Sequence, residues 1–474
     1  MSVSRPWAWL TILVIAETVS GFESSMMLVG LGAWMRQYHD TISVSWIVSS
    51  YVLVQAGAAA LLSPLGDVFG RKRLLVIAIA GAAIGSVVSA MAPSLGWIVV
   101  GRSIQGMAGA ILPLCFGLVR ENLPAERVPF SVGVLTAAAA ISAAGGFIIG
   151  GVVTDRSGPQ SMFVVSAVVA LVALLLTALF LPASRTGTRP ERLDLVGGLL
   201  FVPGVTGLLL VLSDLSTWSA GTSFSIGLAC IAVLVWWWQH EYRHPTPLID
   251  VRLFGKSDIR LANLVMAGCA LGAMGVTQVT SMLLQQDPAS GAGFGLSATA
   301  VGVLKSPMLV GGTLGSLWAG WASGRWSGRV PMVAGSVGIV SGLALLAVDH
   351  AIVWLIIAAV VFIIAATTAL YTGVPNVIIA ASPAKRTSEV VGLSAVVRAL
   401  FQAIGAQTIA VILAASTVGA QHGGKGLPSD RAFSLVFAFM AAAGLISLGA
   451  ALATRRGRLA QAVSEPIAGL ASDL

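Results

Sequence analysis

Charge is what this sequence has least of. Only 10% of its 474 residues are Asp, Glu, Lys or Arg, against roughly 25% in soluble domains, so a surface bathed in water all round is excluded. Cysteine is nearly absent. The three present, Cys115, Cys230 and Cys269, are odd in number and lie in apolar runs, which excludes a disulfide framework and leaves each as a small buried hydrophobe. Long polar stretches are missing too. The longest are 183–193, 240–260, 416–431 and the C-terminal tail, so no large soluble domain is expected. Strict alternation of apolar and polar residues is also lacking, which argues against a β-barrel.

What fills the chain is apolar: 57% of residues are hydrophobic and the mean hydropathy is +0.92. Runs of about 20 apolar residues, the length that crosses a ~30 Å hydrocarbon core as helix, recur throughout. Fourteen spans are expected, at 7–31, 46–65, 74–92, 96–118, 130–153, 162–182, 194–212, 222–239, 261–284, 298–321, 330–348, 351–373, 390–415 and 432–453. The first run is too long for a signal-peptide core and lacks a clear small-residue cleavage site, so it reads as a retained helix. The fold class is therefore an all-α polytopic membrane protein.

The net charge of +8 is explained by topology. With a cytoplasmic N-terminus, 20 of the 27 Lys and Arg fall on the cytoplasmic side: Arg5, Arg71, Lys72, Arg73, Arg120, Arg127, Arg185, Arg189, Arg192, Arg243, Arg252, Lys256, Arg260, Arg325, Arg329, Lys385, Arg386, Arg455, Arg456 and Arg458. Outside stand only Arg36, Arg156, Lys425 and Arg431. This is the positive-inside bias. It places both termini in the cytoplasm and removes the reason to expect a nucleic-acid partner.

The two halves echo one another. Gly70 and Arg71 recur as Gly328 and Arg329, 258 positions on. "LPAERVPFSVG" (123–133) recurs as "SPAKRTSEVVG" (382–392), where Pro124, Arg127 and Gly133 match Pro383, Arg386 and Gly392 at an offset of 259. Six spans plus an extra pair account for that spacing. The expected organisation is an N-terminal six-helix bundle (1–182), a linker with two extra membrane helices (183–260), and a C-terminal six-helix bundle with its tail (261–474). Paired repeats of this kind typify secondary transporters, whose site lies between the repeats.

Five ionisable residues fall inside spans: Glu17, Glu23, Arg102, Lys305 and Arg398. Each costs at least about 2.5 kcal/mol near the bilayer centre, so each should face a cavity or a partner. Glu17 lies about 15 Å along the helix from Trp7, and Glu23 some 9 Å further out and about 120° round. Arg102 enters from the outer side to roughly 10 Å depth, a level similar to that of Glu23. Lys305 falls in the outer half of its span and Arg398 nearer the middle. Burial and a nearby arginine pull a carboxyl's proton affinity in opposite directions. Opening a water path to one side would shift that balance, which is the physical requirement for proton coupling. Glu23, Arg102 and Glu17 are the candidates, against the plainer reading of a static ion pair and a polar cavity lining.

Several motifs resemble those of the major facilitator superfamily. "SPLGDVFGRKRLL" (63–75) resembles its loop signature G-x-L-a-D-r-x-G-r-k through Leu65, Gly66, Asp67, Gly70, Arg71 and Lys72, with Ser63 for the first Gly and Val68 for the usual basic residue. "RSIQGMAGA" (102–110) resembles the fourth-helix pattern R-x-x-q-G-x-g-a, and "ESSMMLVGL" (23–31) resembles D-s-t-i-v-n-v-A-L with Glu23 for Asp and Leu28 for Asn. "PLIDVRLF" (247–254), "TGVPN" (372–376) and Arg398 seven residues before Gly405 resemble the fourteen-spanner drug/proton antiporter branch. The fifth-helix motif g-x-x-x-G-P-x-x-G-G survives only as Gly146, Gly150 and Gly151, with Phe147 where Pro belongs. The C-terminal loop copy has Gly324 where Asp67 stands.

The resemblance implies the major facilitator fold and proton coupling at Glu23 and Arg102. It implies export of hydrophobic or amphiphilic, cationic small molecules such as drugs or antibiotics by alternating access. A lipid or amphiphile transporter, or an uncoupled facilitator of the same fold, is the alternative. The expected setting is the cytoplasmic (inner) membrane, as a monomer among membrane lipids, with protons and a small molecule as partners and no cofactor beyond the proton gradient. Met27, Gln55, Gln105, Phe147, Gln278, Lys305, Arg398 and Gln402 are candidates for the substrate cavity. Asp67, Gly70, Arg71 and Lys72, near the ends of packed helices, can form charge and helix-dipole contacts that latch the halves.

One motif points elsewhere. "HEYRH" (240–244) matches the H-E-x-x-H of zinc proteases. Pro245 follows at once, Arg243 would repel a metal, and the sequence shows no third ligand nearby. With "WWW" (236–238) before it as an interfacial aromatic belt, the stretch reads as a helix end at the headgroups, and neither an enzyme nor a metal is expected.

Overall fold

The computed structural model describes residues 6–38, 41–184, 194–213, 219–245, 247, 249–288, 292–296, 298–418 and 427–454. Arg5, Arg185, Arg189, Arg192, Lys425, Arg455, Arg456 and Arg458 lie outside the described residues. The chain forms fourteen long helices: α1 (Pro6–Tyr38), α2 (Thr41–Phe69), α3 (Arg71–Ala90), α4 (Leu95–Asn122), α5 (Val128–Ser157), α6 (Ser161–Phe180), α7 (Leu195–Ser213), α8 (Ala220–Arg243), α9 (Ser257–Gln285), α10 (Ala298–Arg325), α11 (Arg329–Val348), α12 (Val353–Ala381), α13 (Thr387–Ala415) and α14 (Asp430–Ala453). Thirteen are long and apolar enough to cross a membrane, and α7 carries a shorter apolar stretch, Val196–Leu212. Most run past the expected span ends. Three are not continuous: α4 tightens to a 3₁₀ turn at Gly106–Ala110 and α9 at Ala273–Gly275, and α10 breaks at Ser306 between Ala298–Lys305 and Pro307–Arg325. Among the described residues the one strand pairing is a short antiparallel pair in the outer loop, β1 (Thr417–Val418) with β2 (Leu427–Pro428).

The internal repeat has a structural counterpart. Pro124 and Pro383 each precede a short 3₁₀ turn, Ala125–Arg127 and Ala384–Arg386, that leads into α5 and α13. Gly70 and Gly328 each precede the helix that opens with Arg71 or Arg329. Only Gly70 has positive φ, 101°, so only the N-terminal copy needs glycine for its backbone.

Within the first six helices, α1 packs along α5, and α3 against α4 and α6; in the last six, α12 packs on α10 and α11, and α14 on α9 and α11. The two sets meet along α5/α10 and α2/α13, while α7 and α8 pair with each other and α7 covers the α2/α13 side. Both seams close on matched glycines. A Cβ on Gly133 would lie 2.7 Å from the Ser316 carbonyl and 2.9 Å from the Gly320 Cα; one on Gly392 would lie 2.5 Å from the Ala59 carbonyl and 2.7 Å from Ser63 Oγ. Small residues here let helix backbones approach closely. The seams are tightest toward the cytoplasmic ends. There Arg120 Nη1 donates to Ser382 Oγ (3.0 Å) and Thr387 Oγ1 (2.9 Å), and Asn376 Nδ2 to the Pro129 carbonyl (3.4 Å).

Forcing a methyl into such a contact costs about 1–3 kcal/mol, roughly a fivefold or greater change in a two-state population. Gly392→Ala should therefore part the α2/α13 seam. A cysteine placed at Ala395, one turn along α13, should then label several-fold faster with a membrane-impermeant maleimide from the cytoplasmic side. Unchanged labelling would show that the seam does not depend on this contact.

Candidate functional site

Four of the five charges inside spans converge on the middle of the bundle. Glu23 on α1 is 1% exposed. Its Oε1 accepts Ser86 Oγ of α3 at 3.0 Å and Ser166 Oγ of α6 at 2.9 Å, while Oε2 has no hydrogen-bond partner. Arg102 on α4 is equally buried and joins three helices. Its Nε donates to the Ile47 carbonyl (3.1 Å), its Nη1 to the Glu23 carbonyl (3.3 Å) and to Gln105 Oε1 (2.9 Å). The guanidinium also stacks on Tyr51, 4.1 Å from the ring centroid, a favourable cation–π arrangement.

The two expected partners are therefore neighbours, but they form no carboxylate–guanidinium salt bridge. The link between them runs through Gln105, whose Nε2 donates to Ser86 Oγ at 2.6 Å. Sequence reasoning counted Gln105 as cavity lining. It is fully buried and belongs to this polar chain, as do Ser86 and Ser166, which the sequence left among ordinary small helix residues.

Glu17, two turns toward the cytoplasm, is also 1% exposed, with its Oε2 unpartnered. The charge that acts on it is Arg398, on α13 of the other six-helix set. Arg398 lies 5.5 Å from the Tyr371 ring centroid. Glu17 and Arg398 thus interact electrostatically between the two six-helix sets. Gln55, Arg398 and Gln402 line a cavity of about 210 Å³ between α2 and α13. Gln402 also lines a second cavity of about 700 Å³, with Met274, Gln278 and Met282, that reaches Pro428 in the outer hairpin. The cavity thus runs toward the outer face while the seams close the cytoplasmic one.

Other expected cavity residues fall elsewhere. Met27 is 1% exposed and packs with Phe22, Trp34 and Phe163. Phe147 is half-exposed on α5. Its neighbour Gly146 is the closely packed one: a Cβ there would lie 2.2 Å from Ser25 Oγ. Lys305 is buried on α10, where its Nζ donates to the Thr277 carbonyl (2.8 Å), Thr280 Oγ1 (2.8 Å) and Ser281 Oγ (2.7 Å). All three ammonium donors are thereby used.

At the cytoplasmic end, Asp67 on α2 joins both halves. Its Oδ1 takes Arg71 Nε at 2.7 Å, and its Oδ2 accepts the Glu389 N–H at 2.9 Å in the first turn of α13. Arg71 Nη1 donates to the Gly117 carbonyl (2.9 Å) and Glu121 Oε2 (3.2 Å), and Nη2 to the Ala384 carbonyl (2.7 Å). Lys72 instead caps α6, with Nζ donating to the Ala178 carbonyl (2.9 Å) and to the Leu181 carbonyl.

This arrangement is that of a transporter, and the chain belongs to the Major Facilitator Superfamily, whose family model matches residues 13–406. Among characterised relatives, a tetracenomycin C resistance and export protein from Streptomyces glaucescens is 25% identical over 70% of this chain and 61% of its own length. A multidrug resistance protein, Stp, from Mycobacterium tuberculosis is 26% identical over 78% of this chain and 69% of its own. The chain thus spans about three fifths to two thirds of the length of these relatives. Of solved structures, the proton:xylose symporter XylE superposes with a TM-score of 0.67 at 14% identity, covering 95% of each chain, which shows a shared fold. The chain is a multi-pass integral membrane member of this family of transporters.

A hydrogen bond to a charged group contributes about 1.5–3 kcal/mol, and Arg102 makes three. Arg102→Lys keeps the charge but cannot reach three helices with a planar fork. It should lower the temperature at which the detergent-purified protein loses monodispersity by several degrees, whereas Ser103→Ala should not. Equal stability of the two variants would show that Arg102 does not fasten α1, α2 and α4.

Proposed function

We propose that this transporter exports hydrophobic or amphiphilic, cationic small molecules in exchange for protons by alternating access. The observation that carries this reading is Glu23: a carboxylate enclosed within the membrane helices, held by two hydroxyls, with one oxygen left without a partner. An unpaired buried charge is costly, so the group has reason to exchange its proton whenever water reaches it. The sign of the substrate follows from what is already occupied. Lys305 spends its donors on three oxygens, and Arg398 faces Glu17 and Tyr371. Glu17 and Glu23 each keep an unpartnered oxygen, so a cation is the better match. The tetracenomycin C export and the multidrug resistance named for two relatives support export of small molecules, and leave the charge to the acids of the site.

Asp67 and Arg71 serve in this reading as the latch of the outward-facing state, with Gly70 supplying the turn between them and Lys72 anchoring it to α6. The working unit is a monomer in the cytoplasmic membrane, surrounded by lipid and driven by the proton gradient with no cofactor. A lipid or amphiphile carrier, or an uncoupled facilitator of the same fold, is the competing reading. Reconstitution separates them. In liposomes with an imposed pH gradient, the wild type should accumulate a lipophilic cation such as ethidium, and Glu23→Gln should fall to the level of empty liposomes while keeping its elution profile. Wild-type uptake indifferent to the gradient would overturn exchange and favour the facilitator.

A further inference from the structure

The linker helices bring together a cluster that the transport cycle does not use. α7 begins, and α8 ends, at the cytoplasmic level. Asp194, the residue before α7, accepts the Gly197 N–H at 2.9 Å, a helix cap. Both its oxygens also lie 3.0 Å from His240 Nε2 in the last turn of α8. His244 follows four residues on, its ring centroid 5.4 Å from that of His240. One donor atom from each of Asp194, His240 and His244 falls within 4.8 Å of the others. The third ligand that the H-E-x-x-H stretch lacked is thus supplied from 46 residues away.

A second observation points to a cation. Glu241 is fully buried beside this cluster, and the two carboxylates crowd one spot. A Cβ on Gly197 would lie 2.2 Å from Glu241 Oε1 and 2.8 Å from Asp194 Oδ2. Among the described residues neither carboxylate has a Lys or Arg within salt-bridge distance; the one ion pair there is Asp194 with His240. Two buried carboxylates whose one ion-pair partner among the described residues is an imidazole leave negative charge for a metal to neutralise.

We propose that Asp194, His240 and His244 form a binding site for a divalent transition metal, with zinc the best fit. Two imidazoles and a carboxylate suit zinc, whereas Mg²⁺ and Ca²⁺ take oxygen sets. Tetrahedral bonds of about 2.0–2.2 Å need ligand atoms closer together than 4.8 Å, and rotation of the part-exposed His244 next to Pro245 brings them in. A water completes the fourth position. Glu241 is not a catalytic base here, because its Oε1 accepts Trp237 Nε1 (3.3 Å) and its Oε2 the Ile249 N–H (3.4 Å). The metal is a clip. It ties the start of α7 to the end of α8, and the same strap continues to Asp250, whose N–H donates to Glu389 Oε1 at 2.5 Å, next to the Asp67 contact.

The test is zinc titration of the full-length, detergent-purified protein, stripped with EDTA and carrying no polyhistidine tag, in competition with a chromophoric zinc indicator. One zinc per chain is expected, unaffected by millimolar Mg²⁺. His240→Ala and His244→Ala should each weaken it by about tenfold or more. Asp194→Asn, which keeps a capping oxygen for α7, should lose zinc while eluting as the wild type does. Absence of stoichiometric zinc, or zinc retained at full affinity in all three variants, would overturn the site.

Discussion

The cytoplasmic end of the molecule depends on a single carboxylate that serves both halves. Asp67 neutralises Arg71 on its own side and accepts an amide from the first turn of α13 on the other. The amides of a helix's first turn lack intrahelical partners and carry the positive end of its dipole, so one side chain satisfies two needs that water would otherwise meet. Arg71 repeats the arrangement from the opposite side, binding α4 through Gly117 and Glu121 and the turn before α13 through Ala384. These contacts close over glycines that have no side chain to hold the helices apart. The larger cavity reaches the outer hairpin at Pro428.

Deeper in, polar groups are distributed unevenly, and the unevenness is informative. Arg102 is held by two carbonyls, an amide oxygen and a ring face, and Lys305 is saturated by one backbone and two hydroxyl oxygens. The acids are not, since each keeps an oxygen without a partner. A static structural network is expected to be fully satisfied, as the lysine site is. The acids lie on α1, flanked by the seam on one side and by the serines of α3 and α6 on the other. A rearrangement of the halves would alter their surroundings first.

The membrane fold was legible because lipid leaves a chain few choices. Every backbone amide must be paired within its own segment, so long apolar runs could only be helices, and scarce charges only loops, partners or cavities. The repeat offset paired Gly133 with Gly392, and the structure places both in the seams. Partners were less legible. Depth along a helix brought Glu23 and Arg102 to one level, yet the guanidinium reaches the Glu23 carboxylate only through Gln105 and Ser86, because rotation about each helix axis is set by packing. Met27 and Gln105 resembled cavity residues by type and are buried by that same rotation. Asp194 was invisible as a partner of His240 since only the pairing of α7 with α8 brings them together.

The central claim is that the Asp67 contacts hold the halves closed at the cytoplasmic face. Spin labels at Glu126 and Lys385, exposed on the turns before α5 and α13, report that closure directly by their separation in the full chain in lipid nanodiscs. The wild type should give one short distance, and Asp67→Asn should add a longer population as the cytoplasmic side opens. Identical distance distributions in the two proteins would contradict the account.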